Sequence, residues 1–211
     1  VSEVLYRAKV ASVFNFGQPG CRAPKLDNEP DYCNYLETVL YAMSPLKPNQ
    51  KGYVVLRSNY NPNRLDGSLD NFMTKIELYH KQVNELGYSI IYVAPSPKFP
   101  LLIPGGLCTE QWFRPSWALS DRCKDGFRIS RLEEIERTKD FFRELKSLES
   151  KLNDFHVFDP FPVLCGPNND YCNAIRNGTP IYRDESHLTL TGGELLGQEF
   201  LVFLREKNLI F

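Results

Sequence analysis

Apolar residues along the chain come in two rhythms. Four short, largely apolar runs, at 10–16 (VASVFNF), 53–56 (YVVL), 88–94 and 155–158, read as buried strands. Elsewhere apolar positions recur every three or four residues. Tyr32, Tyr35, Leu36, Val39, Leu40 and Met43 predict a helix over 32–43, stopped by Pro45 and Pro48. Leu69, Phe72, Met73, Ile76, Tyr79, Val83 and Leu86 predict another over 69–86, with Asp66 or Ser68 as cap and Gly87 as stop. A charged helix over 129–153 has Leu132, Ile135, Phe142, Leu145, Leu148 and Leu152 as its apolar positions. A closing helix over 192–207 has Leu195, Leu196, Phe200, Phe203 and Leu204. The stretches 95–127 and 160–180 contain several prolines and read as loops.

Strands alternating with amphipathic helices predict a doubly wound α/β domain. Strands without polar alternation fit a parallel sheet covered on both faces, a three-layer α/β/α arrangement. Sites in such sheets lie at the carboxyl ends of strands, so the segments after residues 16, 56, 94 and 158 are the places to look.

The 211 residues suit a single domain over 1–211. With 25 basic and 26 acidic residues, no basic stripe points to nucleic acid. The longest apolar stretches, 88–95 and 99–107, fall far short of the roughly 20 residues of a membrane helix. Val1-Ser2-Glu3 offers neither an initiator Met nor an apolar leader, which suggests a piece of a longer protein.

Six cysteines fall into three sequential pairs: Cys21 with Cys33, Cys108 with Cys123, and Cys165 with Cys172. No Cys-x-x-Cys is present and there are only three His, so no metal site is expected. Nearest-neighbour disulfides are the simplest pairing, and reduced buried thiols the alternative. The sequon Asn177-Gly178-Thr179 favours an oxidising secretory route with a glycan on Asn177, although Pro180 weakens it as an acceptor.

The strongest chemical signal is the run Tyr182-Arg183-Asp184-Glu185-Ser186-His187-Leu188-Thr189, just before the last helix. Asp184 and His187 are three apart, so one tight turn can bring the carboxylate to imidazole Nδ1. That contact selects the tautomer and supports an imidazolium formed during proton abstraction. On spacing alone a surface turn with a loose ion pair explains the motif as well. Its place after the last strand favours chemistry. Asn15-Phe16-Gly17-Gln18-Pro19-Gly20 follows the first strand, and Gly20 can offer its backbone N–H to an oxyanion. An ordinary Gly/Pro turn is the plainer account. Asn59 follows the second strand and can supply a second oxyanion donor, or simply cap a turn.

Taken in order, Gly20, Asn59, Asp184 and His187 resemble the last three blocks of the SGNH hydrolase superfamily: Gly, Gly-x-Asn and Asp-x-x-His. Arg57 stands where the family has Gly. The resemblance sharpens toward SGNH domains fused to acyltransferase 3 membrane proteins. It is carried by Cys21, the run Asp159-Pro160-Phe161-Pro162-Val163-Leu164-Cys165, Cys172, Tyr182 to Thr189, and Gly192. The Gly-Asp-Ser block, which holds the family's nucleophile on the first, central strand, is absent from this sequence. The resemblance therefore implies a sheet lacking its first strand here, with the serine supplied upstream of residue 1 in a longer membrane protein of which this is the C-terminal part.

The implied activity is O-acyl transfer or ester hydrolysis without a cofactor. His187 would be the base, Asp184 its orienting carboxylate, and Gly20 and Asn59 oxyanion donors. The implied partners are an acyl donor delivered by the attached membrane region and a carbohydrate or lipid hydroxyl acceptor, on the lumenal or extracellular side. Two alternatives remain: a catalytically inactive SGNH-fold binding domain, and a free-standing secreted carbohydrate esterase.

Overall fold

The computed structural model describes residues 40–41, 43–47, 50–57, 69–99, 115, 117, 127–166, 170–177 and 179–210. The expected strand at 10–16 and all but the end of the helix expected at 32–43 lie outside these residues. The described residues of Ser96–Arg137 and Pro160–Phe211 form one compact unit, and those of Phe14–Pro95 and Thr138–Asp159 a second.

The second unit is built on a parallel sheet of β1 (Gly52–Arg57), β2 (Tyr88–Val93) and β4 (Phe155–Phe158), with β2 central. Gly52 pairs with Tyr88 and Arg57 with Val93, while Ile90 pairs with Phe155 and Val93 with Phe158. Helix α1 (Leu69–Glu85) links β1 to β2 and ends at Gly87, whose φ of 85° is open to glycine without strain.

Strand side chains alternate in direction, so each strand serves two faces. Leu56, Ile90, Tyr92, Ala94, Phe155 and Val157 share one core with Phe72, Met73, Ile76, Tyr79 and Val83 of α1. Phe141, Leu145 and Leu148 of helix α2 (Arg131–Lys151) complete it. Ile91, Val93 and Phe158 on the opposite face are buried too, as runs without polar alternation require. β1 departs from the buried strand expected at 53–56: only Leu56 is buried there, and Val55 is exposed. His80 is a core histidine whose Nε2–H donates to the Asn153 carbonyl at 2.7 Å. Glu149 receives the Val157 N–H at 2.9 Å, satisfying a donor on β4.

The buried stripe of α2 differs from the expected one. Glu134, Thr138, Phe141, Leu145 and Leu148 are buried, while Leu132 and Ile135 face solvent. Periodicity counted only apolar residues, and Glu134 occupies a buried position because its carboxylate is paired.

In the first unit, β3 (Arg128–Ser130) pairs antiparallel with β5 (Tyr171–Asn173). Helix α3 (Phe161–Cys165) starts on prolines, which suit a first helical turn. A hairpin of β6 (Ile175–Arg176) and β7 (Thr179–Pro180) follows, and helix α4 (Leu190–Glu206) closes the unit. The segment 160–180 is thus not one loop as expected. Proline ends one element but also opens α3, and Asn177-Gly178 is the residue pair a two-residue hairpin turn demands. Asn177 has the positive φ, 48°, of such a turn.

Cys165 and Cys172 are bonded, tying the end of α3 to β5. Cys21, Cys33, Cys108 and Cys123 lie outside the described residues. Two guanidiniums hold the open carbonyls at the end of α3. Arg176 donates to Val163 O at 2.8 Å and to Leu164 O, and Arg131 donates to Gly166 O. Cations suit the negative end of a helix.

The core makes a quantitative expectation. Leu145 is fully buried in the core. Leu145→Ala is expected to lower unfolding stability by about 2–5 kcal/mol, read from denaturant midpoints. Leu132→Ala, at an exposed position, is expected to change it by less than about 0.5 kcal/mol.

Candidate functional site

The site is a clasp between β7 and α4. Tyr182 and Leu188 form an antiparallel bridge, and the Arg183 N–H donates to the His187 carbonyl at 2.8 Å. The five residues between must therefore turn back on themselves. Below the bridge, the Thr189 N–H donates to Ile181 O at 2.9 Å, and the Thr189 hydroxyl reaches Pro180 O at 2.7 Å. The same hydroxyl oxygen accepts from the Gly192 N–H at 3.1 Å, so Thr189 is the N-cap of α4. This cap starts the helix two residues before the expected Gly192.

Gly192 is there for closeness. A Cβ at this position would sit 2.2 Å from the Ile181 carbonyl oxygen, whereas one on Gly193 would meet nothing within 4 Å.

Within the clasp, Asp184 Oδ1 accepts from the backbone N–H of His187 at 2.9 Å and of Ser186 at 3.1 Å. These are the local bonds an Asp makes in a tight turn. His187 Nδ1 lies 2.8 Å from Oδ1 and 2.9 Å from Oδ2. A carboxylate only accepts, so Nδ1 carries the proton and Nε2 keeps its lone pair in the neutral ring. Burial pulls the Asp184 carboxyl upward, but the two backbone N–H groups and the imidazole outweigh it and hold it below its ordinary value. The His187 side chain is 64% exposed and that of Asp184 23%.

The segment after β2 anchors the clasp. The Phe99 N–H donates to Glu185 O at 2.8 Å, and its buried ring meets Tyr182 edge-on with centroids 4.7 Å apart. Sequence reasoning placed Phe99 in an irregular insert and gave it no part. Its place at the head of the apolar stretch 99–107, soon after a strand end, was the one signal that could have found it.

The sequence-based pairing of Asp184 with His187 is therefore present in the structure. Gly20 and Asn59, the expected oxyanion donors, lie outside the described residues. Among the described residues no group of three or more His, Cys, Asp and Glu side chains could hold a metal ion. No described helix is long and apolar enough to cross a membrane.

The family model of the SGNH domain fused to AT3 domains matches residues 2–202. The chain belongs to this family. The SGNH domain described here accordingly has the α/β fold expected of it, with its parallel sheet and covering helices. No curated protein matches it. It is similar to the solved periplasmic domain of a lipopolysaccharide acetyltransferase from Salmonella ser. Paratyphi A, at 13% identity and a TM-score of 0.45. That likeness covers 84% of this chain and 62% of the other, so the SGNH domain spans less than two thirds of that structure.

Two outcomes follow for the clasp. Gly192→Ala is expected to destabilise the SGNH domain, because the carbonyl it meets is backbone. Gly193→Ala is expected to be neutral or to stabilise by up to about 1 kcal/mol in thermal melts. The second outcome concerns acid. Asp184 is depressed in the folded state, so its ionisation stabilises the fold fully above the unfolded carboxylate value of about 3.9. That contribution is lost as pH falls through the lower folded value. Wild type and Asp184→Asn are therefore expected to differ most in stability near neutral pH and to converge in strong acid, in urea titrations across pH.

Proposed function

We propose that this SGNH domain carries out O-acyl transfer or ester hydrolysis, with His187 as general base and Asp184 as its orienting carboxylate. The carrying observation is the double contact of His187 Nδ1 with Asp184, which leaves Nε2 its lone pair on a ring whose side chain is 64% exposed. The sequence holds no Gly-Asp-Ser block. In this reading the nucleophilic serine comes from a segment N-terminal to Val1.

The serine hydroxyl gives its proton to Nε2 as Oγ bonds to the acyl carbonyl carbon. The carbonyl oxygen becomes an oxyanion, held by the Gly20 N–H, the Asn59 amide and the serine's own N–H. Collapse breaks the bond to the donor's oxygen, which takes the proton back from His187. An acceptor hydroxyl then repeats the steps in reverse and leaves with the acyl group, or water releases it as a free acid. Asp184 stays ionised throughout and stabilises the transient imidazolium.

The donor in this reading is an acyl group delivered by an attached membrane acyltransferase region, and the acceptor a carbohydrate or lipid hydroxyl. The domain acts on the lumenal or extracellular side. The Cys165–Cys172 bridge supports an oxidising compartment. Asn177, exposed at the hairpin turn, is the glycan acceptor of the same reading. A second reading, an inactive SGNH-fold binding domain, is favoured by the missing Gly-Asp-Ser block alone.

The test uses the full-length protein that carries this chain. His187→Ala is expected to cost several orders of magnitude in acyl transfer. Asp184→Asn is expected to be nearly as severe, because an amide favours the wrong tautomer. Asn59→Ala is expected to be milder, on the order of 100-fold. A fluorophosphonate probe is expected to label one serine in wild type and not in His187→Ala. Transfer that survives His187→Ala would favour the binding-domain reading.

A further inference from the structure

We infer that Glu134 and Arg137, through the segment 96–99, are positioning residues for the Asp184–His187 pair. The inference rests on the reading of that pair as catalytic only for its effect on turnover.

Glu134 lies in the first turns of α2, where a carboxylate could suit the helix dipole from the surface. It is buried instead, and burying a carboxylate is costly unless it is paired. Arg137 pairs it with two bonds: Nε to Oε1 at 2.9 Å and Nη2 to Oε2 at 2.7 Å. An apolar pair of similar size could fill the same space at no loss of stability. What an apolar pair cannot do is accept a backbone N–H. Glu134 Oε2 accepts the Lys98 N–H at 3.0 Å, and Arg137 Nη2 reaches Ser96 O at 3.5 Å.

The segment held in this way carries Phe99. One residue beyond the Glu134 contact, the Phe99 N–H grips Glu185 O, between Asp184 and His187, and its ring seats on Tyr182. The side-chain pair of Lys98 with Glu185 spans 3.7 Å with both partners half-exposed, and such a pair contributes little. The ordering therefore runs through the backbone and the Phe99 ring, not through that ion pair: Glu134 fixes Lys98 N, which places Phe99, whose N–H and ring together fix the turn presenting His187.

The experiment is imidazole ¹⁵N NMR on the full chain, with the His187 signals assigned by their loss in His187→Ala. Wild-type neutral His187 is expected to be almost wholly the Nδ1–H tautomer. Glu134→Ala and Phe99→Leu are expected to give a mixture of tautomers. Glu134→Gln keeps an acceptor oxygen for the Lys98 N–H and is expected to fall between. It carries the test with Phe99→Leu if Glu134→Ala fails to fold. Leu148→Ala, a core truncation in the other unit, is expected to destabilise without moving the His187 signals. In the full-length protein, kcat is expected to fall about 10- to 100-fold in Glu134→Ala with KM unchanged. A wild-type tautomer in folded Glu134→Gln and Phe99→Leu overturns the proposal, as does an equal shift in Leu148→Ala. The tautomer needs no turnover to be read. An inactive full-length protein whose tautomer still responds therefore removes the catalytic reading and supports the positioning.

Discussion

Asp184 Oδ1 accepts three N–H groups within one turn: the backbone amides of Ser186 and His187 and the imidazole of His187. The first two shape the loop and the third aims the ring. A single ionised oxygen thus makes the conformation of the backbone and the tautomer of the base one event. The clasp around it is held from several sides. The Tyr182–Leu188 bridge closes the turn from outside, Thr189 caps the next helix onto the Ile181 and Pro180 carbonyls, and Phe99 supports it from the preceding segment. An exposed imidazole can be held in one orientation because the carboxylate it bonds is itself fixed by two backbone N–H groups.

The fold was legible wherever burial was uniform. Ser89-Ile90-Ile91-Tyr92-Val93 is apolar nearly throughout, and it is the middle strand of the sheet among the described residues. The α1 face from Phe72 to Val83 came out as its periodicity predicts, with His80 added because its nitrogen found a carbonyl. Where polar groups were buried, periodicity misled. Glu134 and Thr138 lie on the buried stripe of α2 in place of Leu132 and Ile135, since hydropathy cannot register a charge whose partner is three residues along. The short elements of 160–180 were unreadable for another reason. α3 has five residues, too few to show a helical period, and its end is held by Arg131 and Arg176 from elsewhere in the chain.

The Asp184–His187 pair was legible because its geometry is local: three residues of spacing and one turn suffice. Its support was not. Phe99 and Glu134 reach it across large sequence separations, and no short motif records them. The family match over residues 2–202 and the local geometry therefore carry different information. The first concerns ancestry along the chain, and the second concerns how this copy holds its own histidine.

Gly192 has a consequence for how such sequences can vary in length. Ile181 O receives the Thr189 N–H, and the first turn of α4 presses so near it that Gly192 leaves no room for a methyl group. Strand end and helix start are thereby locked together at both ends of the motif, and the interval between them behaves as a ruler. A residue inserted between Ile181 and Thr189 would have to bulge out of the Tyr182–Leu188 bridge, and a deletion would pull that bridge apart. Contact fixes the length here, so the spacing of Asp184 and His187 is set by the clasp itself and not by the side chains around it.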